Sequence, residues 1–410
     1  MGANKLGYLE GLRGVAALAV LGHHFMLAMY PGAYDSNPIR FHTTGLESWW
    51  YGSPLNVLTN GNFCVTIFFV LSGMVLSRSY LQKNDFGIII SSAKRRFLRL
   101  FIPVGFVIIL SFIMLNLDAY KHMEVAKISG SDWWLATSWN VDDSFSTFLA
   151  YFTYKVMFLG LPDYDTSMWT MSMELFGSFG VFAILAGVYF IKRRYIVYLV
   201  AMIIILALGY NDLKSAPSTL KFYYLAFVLG MMLNDFPDVN IKKQGPLVSY
   251  VLVPILFFGG LLLGSFPSLA WSHYSWWEFV EKQEILNRYD VIHVIGSMLL
   301  VSAIVLSSIL QKILSIKPII FLGTVSFSLY LLHPLVMSAL AFPIFLSLHE
   351  TQGYNMAALI SLLALVLSTV LLSWGMAITV DKFSITFTKK YLGGSPVALK
   401  VKEKKKKKGT

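Results

Sequence analysis

Ten stretches of the sequence stay apolar long enough to cross a bilayer, and this pattern constrains the chain more than any motif within it. A transmembrane helix needs about 20 mostly apolar residues. In lipid every backbone polar group must be satisfied internally, which a helix does. The stretches cover residues 12–30, 62–80, 99–117, 168–191, 195–210, 219–234, 247–266, 290–310, 318–346 and 355–380. Those at 195–210 and 219–234 are short, and a further apolar stretch at 148–161 reads as lying on the surface or re-entrant. The expectation is an all-α integral membrane protein of about ten transmembrane helices. Charged residues are only 13% of the 410, against about 25% in soluble domains, too few to cover water-facing surfaces. A single cysteine, Cys64, excludes a disulfide framework and a cysteine-rich zinc site, and no metal is expected.

Ten spans put both termini on one side. The loops at 81–98, 192–194, 235–246 and 311–317, both tails and the adjoining span ends hold 25 of the 33 Lys and Arg. By the positive-inside rule that side is cytoplasmic, which places the chain in a cell (plasma or inner) membrane. The net charge of +11 is then a sided charge, with membrane lipids rather than nucleic acid as its partner. Residues 1–381 read as one multi-pass membrane domain and 382–410 as a cytoplasmic Lys-rich tail, whose Lys404–Lys408 run suits anionic lipid. Lys5 and Arg13 before an apolar core imitate a signal peptide. No small-x-small cleavage site follows Met29, so the segment reads as an uncleaved first helix.

Ionisable groups inside spans are costly and mark function by default. Arg13 and His24 are eleven residues apart, which on a helix returns to within about 20° of the same face after a rise of roughly 16 Å. His23 points about 100° away. An arginine at the cytoplasmic mouth and an imidazole deep in the membrane suit a long anionic thioester such as coenzyme A. The guanidinium would hold phosphate, and the imidazole would act as general base. Arg96 and Arg99, at i and i+3 on one face, can complete the phosphate clamp, or can serve as positive-inside anchors. Ser72-Gly73 allows close helix approach or a local break. Glu174 lies about two turns inside its span, flanked by Trp169 and Ser172, and needs a cation, for which a protonated His24 is the expected partner. His333 stands beside Pro334, with Tyr330 sharing its face. Packing or structural hydrogen bonding is the plain alternative for each of these residues. Nine of the ten Trp fall at or beyond the outer membrane edge, which suits anchoring, loop packing or an outer cavity that stacks on a sugar.

LEGLRGVAALAV with His24 after it, FFVLSGMVLSR, RRFLRLFIP, WTMSMELF and SFSLYLLHPL together resemble the membrane acyltransferase 3 family, in its expected order and over roughly residues 8–334. The resemblance implies about ten helices and transfer of an acyl group, usually acetyl, from cytoplasmic acyl-CoA to a hydroxyl. The acceptor would be a carbohydrate or a lipid-linked or cell-surface molecule. It implies a catalytic role for His24, donor binding by Arg13, Arg96 and Arg99, and a supporting role for Glu174. Ser72, Trp169, Ser172, Tyr330 and His333 join as substrate-binding or supporting residues. Some relatives carry an extracytoplasmic esterase-like domain, so a stand-alone transferase, or one with a separate extracytoplasmic partner, is expected. A proton-coupled transporter or exporter of a sugar or lipid is the competing reading, since intramembrane carboxylates and histidines serve transport equally well.

Overall fold

The structure, a computed structural model, describes residues 7–35, 37–51, 53–141, 144–213, 222–235, 245–266 and 289–393. Every regular element among them is helical. The principal helices are α1 (Gly7–Met29), α2 (Gly61–Lys83), α3 (Phe86–Asn116), α4 (Trp169–Ile191), α5 (Arg194–Leu213), α6 (Tyr224–Met232), α7 (Val253–Gly264), α8 (Tyr289–Leu306), α9 (Lys317–Val336) and α10 (Tyr354–Met376). Helix α9 continues through a wide turn to Gln352, and α10 continues to Leu392.

Where described, each of the ten apolar stretches falls largely on helix, but the described helices do not all reach spanning length. Six are long and apolar enough to cross a membrane: α1, α2, α3, α4, Lys317–Gln352 and Tyr354–Leu392. A seventh appears only if α8 and Ser308–Leu314, bent by 98°, count as one span. Apolar run length does not see the breaks. Ser307 is extended and its hydroxyl accepts from Leu310 N, capping the second piece of the bent pair. Phe145–Leu159, Arg194–Leu208 and Val248–Gly264 are shorter apolar helices, and α6 has only nine residues. The first part of the expected tail, Lys382–Leu392, is helical and continuous with α10; Lys404–Lys408 lies outside the described residues.

Glycines set the core of the bundle. The most extensive packing joins α1 to α9. A Cβ at Gly14 would lie 2.4 Å from the Gly323 nitrogen, and one at Gly323 would lie 2.1 Å from the Glu10 carbonyl oxygen. Only hydrogen fits between these backbones, as small residues permit in membranes. Gly73 of α2 and Gly230 of α6 do the same reciprocally against the carbonyls of Phe227 and Val70, so the Ser72-Gly73 pair gives close approach within an unbroken helix. Because α1 and α9 run parallel, equal steps from the crossing arrive level. Ten residues on from Gly14 is His24, and ten on from Gly323 is His333.

Gly323→Val should therefore drive α1 and α9 apart. Detergent-solubilised protein should lose its monodisperse size-exclusion peak and melt at clearly lower temperature. Gly180→Ala, where a Cβ meets nothing within 4 Å, should leave both unchanged.

Candidate active site

His24 and His333 meet in the core. His24 Nδ1 lies 2.6 Å from His333 Nε2, and the rings stack with centroids 4.9 Å apart. His333 Nδ1 is 3.1 Å from the Leu329 carbonyl of its own helix. A carbonyl only accepts, so that nitrogen carries the proton, and the Nε2 of a neutral His333 must accept. His24 then donates from Nδ1 and keeps a lone pair on Nε2. That nitrogen makes no hydrogen bond among the described residues. The relay fixes tautomer and ring orientation as the carboxylate does in a serine-protease triad, with an imidazole in the orienting place.

Two cavities adjoin here. One, of about 300 Å³, is lined by His23, His24, Tyr34, Trp133, Trp134 and Trp169, among others. The second, of about 250 Å³, is lined by Glu10, Arg13, Ser72, Arg96, Arg99, Glu174 and Asp381 together with apolar side chains. Val65 and Tyr330 line both, so they form the partition. The Tyr330 hydroxyl is 2.9 Å from Thr170 Oγ1 and donates to the Ser167 carbonyl, which holds the ring in place.

Every arginine on the second cavity already has a carboxylate. Arg13 pairs with Glu10 at 3.0 Å. Arg99 reaches Asp381 at 2.5 Å and Ser384 Oγ at 2.9 Å. Arg96 pairs with Glu174 and donates from Nε to Ser178 Oγ at 2.7 Å, while Ser72 donates to the same Glu174 oxygen at 2.7 Å. The expected cation for Glu174 was His24; it is Arg96, and the partner of His24 is His333. The correction follows from helix register. Arg96 is ten residues into α3, a 31-residue helix, and reaches Glu174 from the side rather than standing free at the mouth. Arg13 and Arg99 are the more open pair, with side chains 24% and 28% exposed, against 15% for Arg96.

Trp169 lines the histidine cavity. Ser172 does not join either cavity: its hydroxyl donates to the Trp169 carbonyl at 3.3 Å, and its side chain packs on Gly160, where a Cβ would come within 2.5 Å of Oγ. Of the outer tryptophans, Trp133 and Trp134 line the histidine cavity, and the Trp134 ring lies 5.3 Å from His24. Trp271, Trp276 and Trp277 lie outside the described residues. Sequence reasoning did not find Glu10, Thr170 or Asp381 as partners. Asp381 meets Arg99 across 282 positions, a distance no local pattern bridges. Among the described residues no group of three or more His, Cys, Asp or Glu could hold a metal ion.

Beside the histidine cavity, which Pro162 and Thr166 help to line, the loop before α4 turns on Asp165. Its Oδ1 accepts from the backbone N of Ser167 at 2.7 Å and from its hydroxyl at 2.6 Å, and its Oδ2 has no partner. Burial pushes this carboxyl up to about 7.

A helical membrane protein with a histidine relay and an arginine-lined cavity is the class defined so far. The family model described as an acyltransferase domain, that of the membrane acyltransferase 3 family, matches residues 6–378. The chain belongs to that family, and the coarse activity of the domain is acyl transfer. No curated protein and no solved structure matches the chain.

Two outcomes test the site. Arg96→Met strands the partly buried Glu174 carboxylate, at up to the roughly 3–5 kcal/mol typical of a fully buried pair, so its melting temperature in detergent should fall clearly. Adding Glu174→Met should recover most of that loss. For Asp165, the folded pKa of about 7 lies above the usual carboxylate value of about 3.9, so the folded state holds the proton more tightly. Its contribution to stability is full below about pH 4, falls as pH rises towards 7, and is lost above. Asp165→Asn should flatten the decline in melting temperature between pH 5 and pH 8.

Proposed function

We propose that the protein is an O-acyltransferase that moves an acyl group, acetyl first among the candidates, from cytoplasmic acyl-CoA to a hydroxyl of a carbohydrate or lipid-linked acceptor. One observation carries this reading. His24 is held through Nδ1 by His333 with Nε2 unbonded, in a cavity that shares Val65 and Tyr330 with an arginine-lined one.

Acyl-CoA would supply the thioester carbonyl, and the donor set suits its phosphates. Arg13 and Arg99 are partly open and can exchange the carboxylates of Glu10 and Asp381 for phosphate oxygens. Arg96 neutralises Glu174 and keeps the cavity polar beside Ser72. His24 Nε2 takes the proton of the acceptor hydroxyl as its oxygen attacks the carbonyl. The new C–O bond replaces the C–S bond, and the proton passes from His24 to the departing thiolate. His333 spreads and orients the transient positive charge. General-base help of this kind is worth about 10²–10⁴ in rate.

The proposed topology has ten crossings, with the shorter apolar helices and the bent pair counted in, and both termini in the cytoplasm of a plasma or inner membrane. That arrangement puts the arginine cavity on the side holding most of the basic residues and the histidine cavity on the side of the tryptophans. The acceptor would arrive from outside, and a separate extracytoplasmic partner can take the product.

The test uses purified protein, radiolabelled acetyl-CoA and an extract of cell-surface glycans and lipids. Wild-type protein should transfer label to an alkali-labile ester. His24→Ala should lower that rate by at least about a hundredfold while retaining the wild-type elution profile. Normal turnover in His24→Ala would remove the assigned base, and no thioester consumption by wild-type protein would remove the enzymatic reading.

A further inference from the structure

His24 is not the only imidazole with an unbonded nitrogen in its cavity. His23 lines the same space, with its ring centroid 5.5 Å from that of His24 and tilted by 42°. Its Nδ1 lies 2.7 Å from the Thr59 carbonyl. As a carbonyl only accepts, Nδ1 carries the proton, and Nε2 is left as an acceptor. Nε2 makes no hydrogen bond among the described residues. Nor is it sealed in apolar packing, as both ring nitrogens of His122 are.

The ring has a built seat. A Cβ at Gly61 would stand 2.4 Å from His23 Cδ2, so only glycine admits the imidazole at the start of α2. Tyr34 meets it edge-on at 5.6 Å. Thr59, whose carbonyl fixes the tautomer, is itself held by Trp50 Nε1, which donates to its hydroxyl at 2.8 Å. A residue kept only to fill this space would serve better as phenylalanine, which brings no polar atom that needs a partner.

We infer that His23 is an acceptor-binding residue: its Nε2 accepts a hydrogen bond from a second hydroxyl of the acceptor while His24 takes the proton of the first. The site thereby selects acceptors that carry hydroxyls on neighbouring carbons over those that carry one alone. This rests on the acyl-transfer reading. His23 adds no second base to the chemistry. It orients the acceptor so that one oxygen, and not its neighbour, lies against His24.

The experiment compares propan-1-ol with propane-1,2-diol as acceptors for the purified full chain, with radiolabelled acetyl-CoA as donor. Wild-type protein should favour the diol by at least about tenfold in kcat/KM, the effect of one well-made hydrogen bond, and the preference should lie mainly in KM. In His23→Phe the ratio between the two alcohols should fall to near one, whatever the absolute rates. His23→Asn, which keeps an acceptor oxygen, should retain part of it. Gly61→Ala, which displaces the ring without removing it, should lose the ratio as His23→Phe does, and so guards against misfolding of the His23 variants. A ratio near one in wild-type protein, or a wild-type ratio in His23→Phe, would overturn the assignment while leaving acyl transfer standing. Transfer to neither alcohol, with no transfer to the glycan and lipid extract, would remove the acyl-transfer reading and this role with it.

Discussion

The side-by-side contact of α1 and α9 at Gly14 and Gly323 is the constraint on which the rest of the site depends. Close approach there, with no side chain between the backbones, fixes the two helices in axial register as well as in distance. Helical rise then does the remaining work. Two parallel helices that touch at one level stay level, and His24 and His333 are each ten residues further on. The 2.6 Å contact between their rings is a consequence of where the glycines sit, and the tautomer of His24 is a consequence of that contact.

A second constraint is charge in a medium that punishes it. The cavity beside the histidines carries Arg13, Arg96 and Arg99 against Glu10, Glu174 and Asp381, so it is formally balanced. The balance differs in kind from one pair to the next. Arg96 and Glu174 are partly buried and tie α3 to α4, with Ser72 from α2 donating to the carboxylate. In Arg13–Glu10 and Arg99–Asp381 the arginine side chains are more open. The difference lies in the guanidinium groups, 24% and 28% exposed at Arg13 and Arg99 against 15% at Arg96.

Much of the fold was legible because lipid leaves few options. Run length and hydropathy picked ten apolar stretches, from 12–30 to 355–380, and each falls largely on helix among the described residues. They also marked 219–234, which holds α6, as short, but not the bend at Ser307, because a break made by one capping hydroxyl leaves mean hydropathy unchanged. Spacing also put Arg13 and His24 on one face and picked out Glu174 and His333 as ionisable residues in apolar surroundings. It gave Glu174 the wrong partner: Glu174 meets Arg96 on the arginine cavity, whereas His24 meets His333 on the other. Spacing within one helix does not say which residue of another helix it meets.

The sequence by itself determined the class of protein, its family and the ionisable residues that stand in apolar surroundings. Each of these rests on local composition or on spacing within one helix. Only the tertiary structure decided that His333 orients His24, that Arg96 belongs to Glu174 and Arg99 to Asp381, and that His23 shares the cavity of His24. These pairings join residues as many as 309 positions apart. They depend on which helix faces which, a matter settled by backbone approach at glycines that carry no chemical signal of their own.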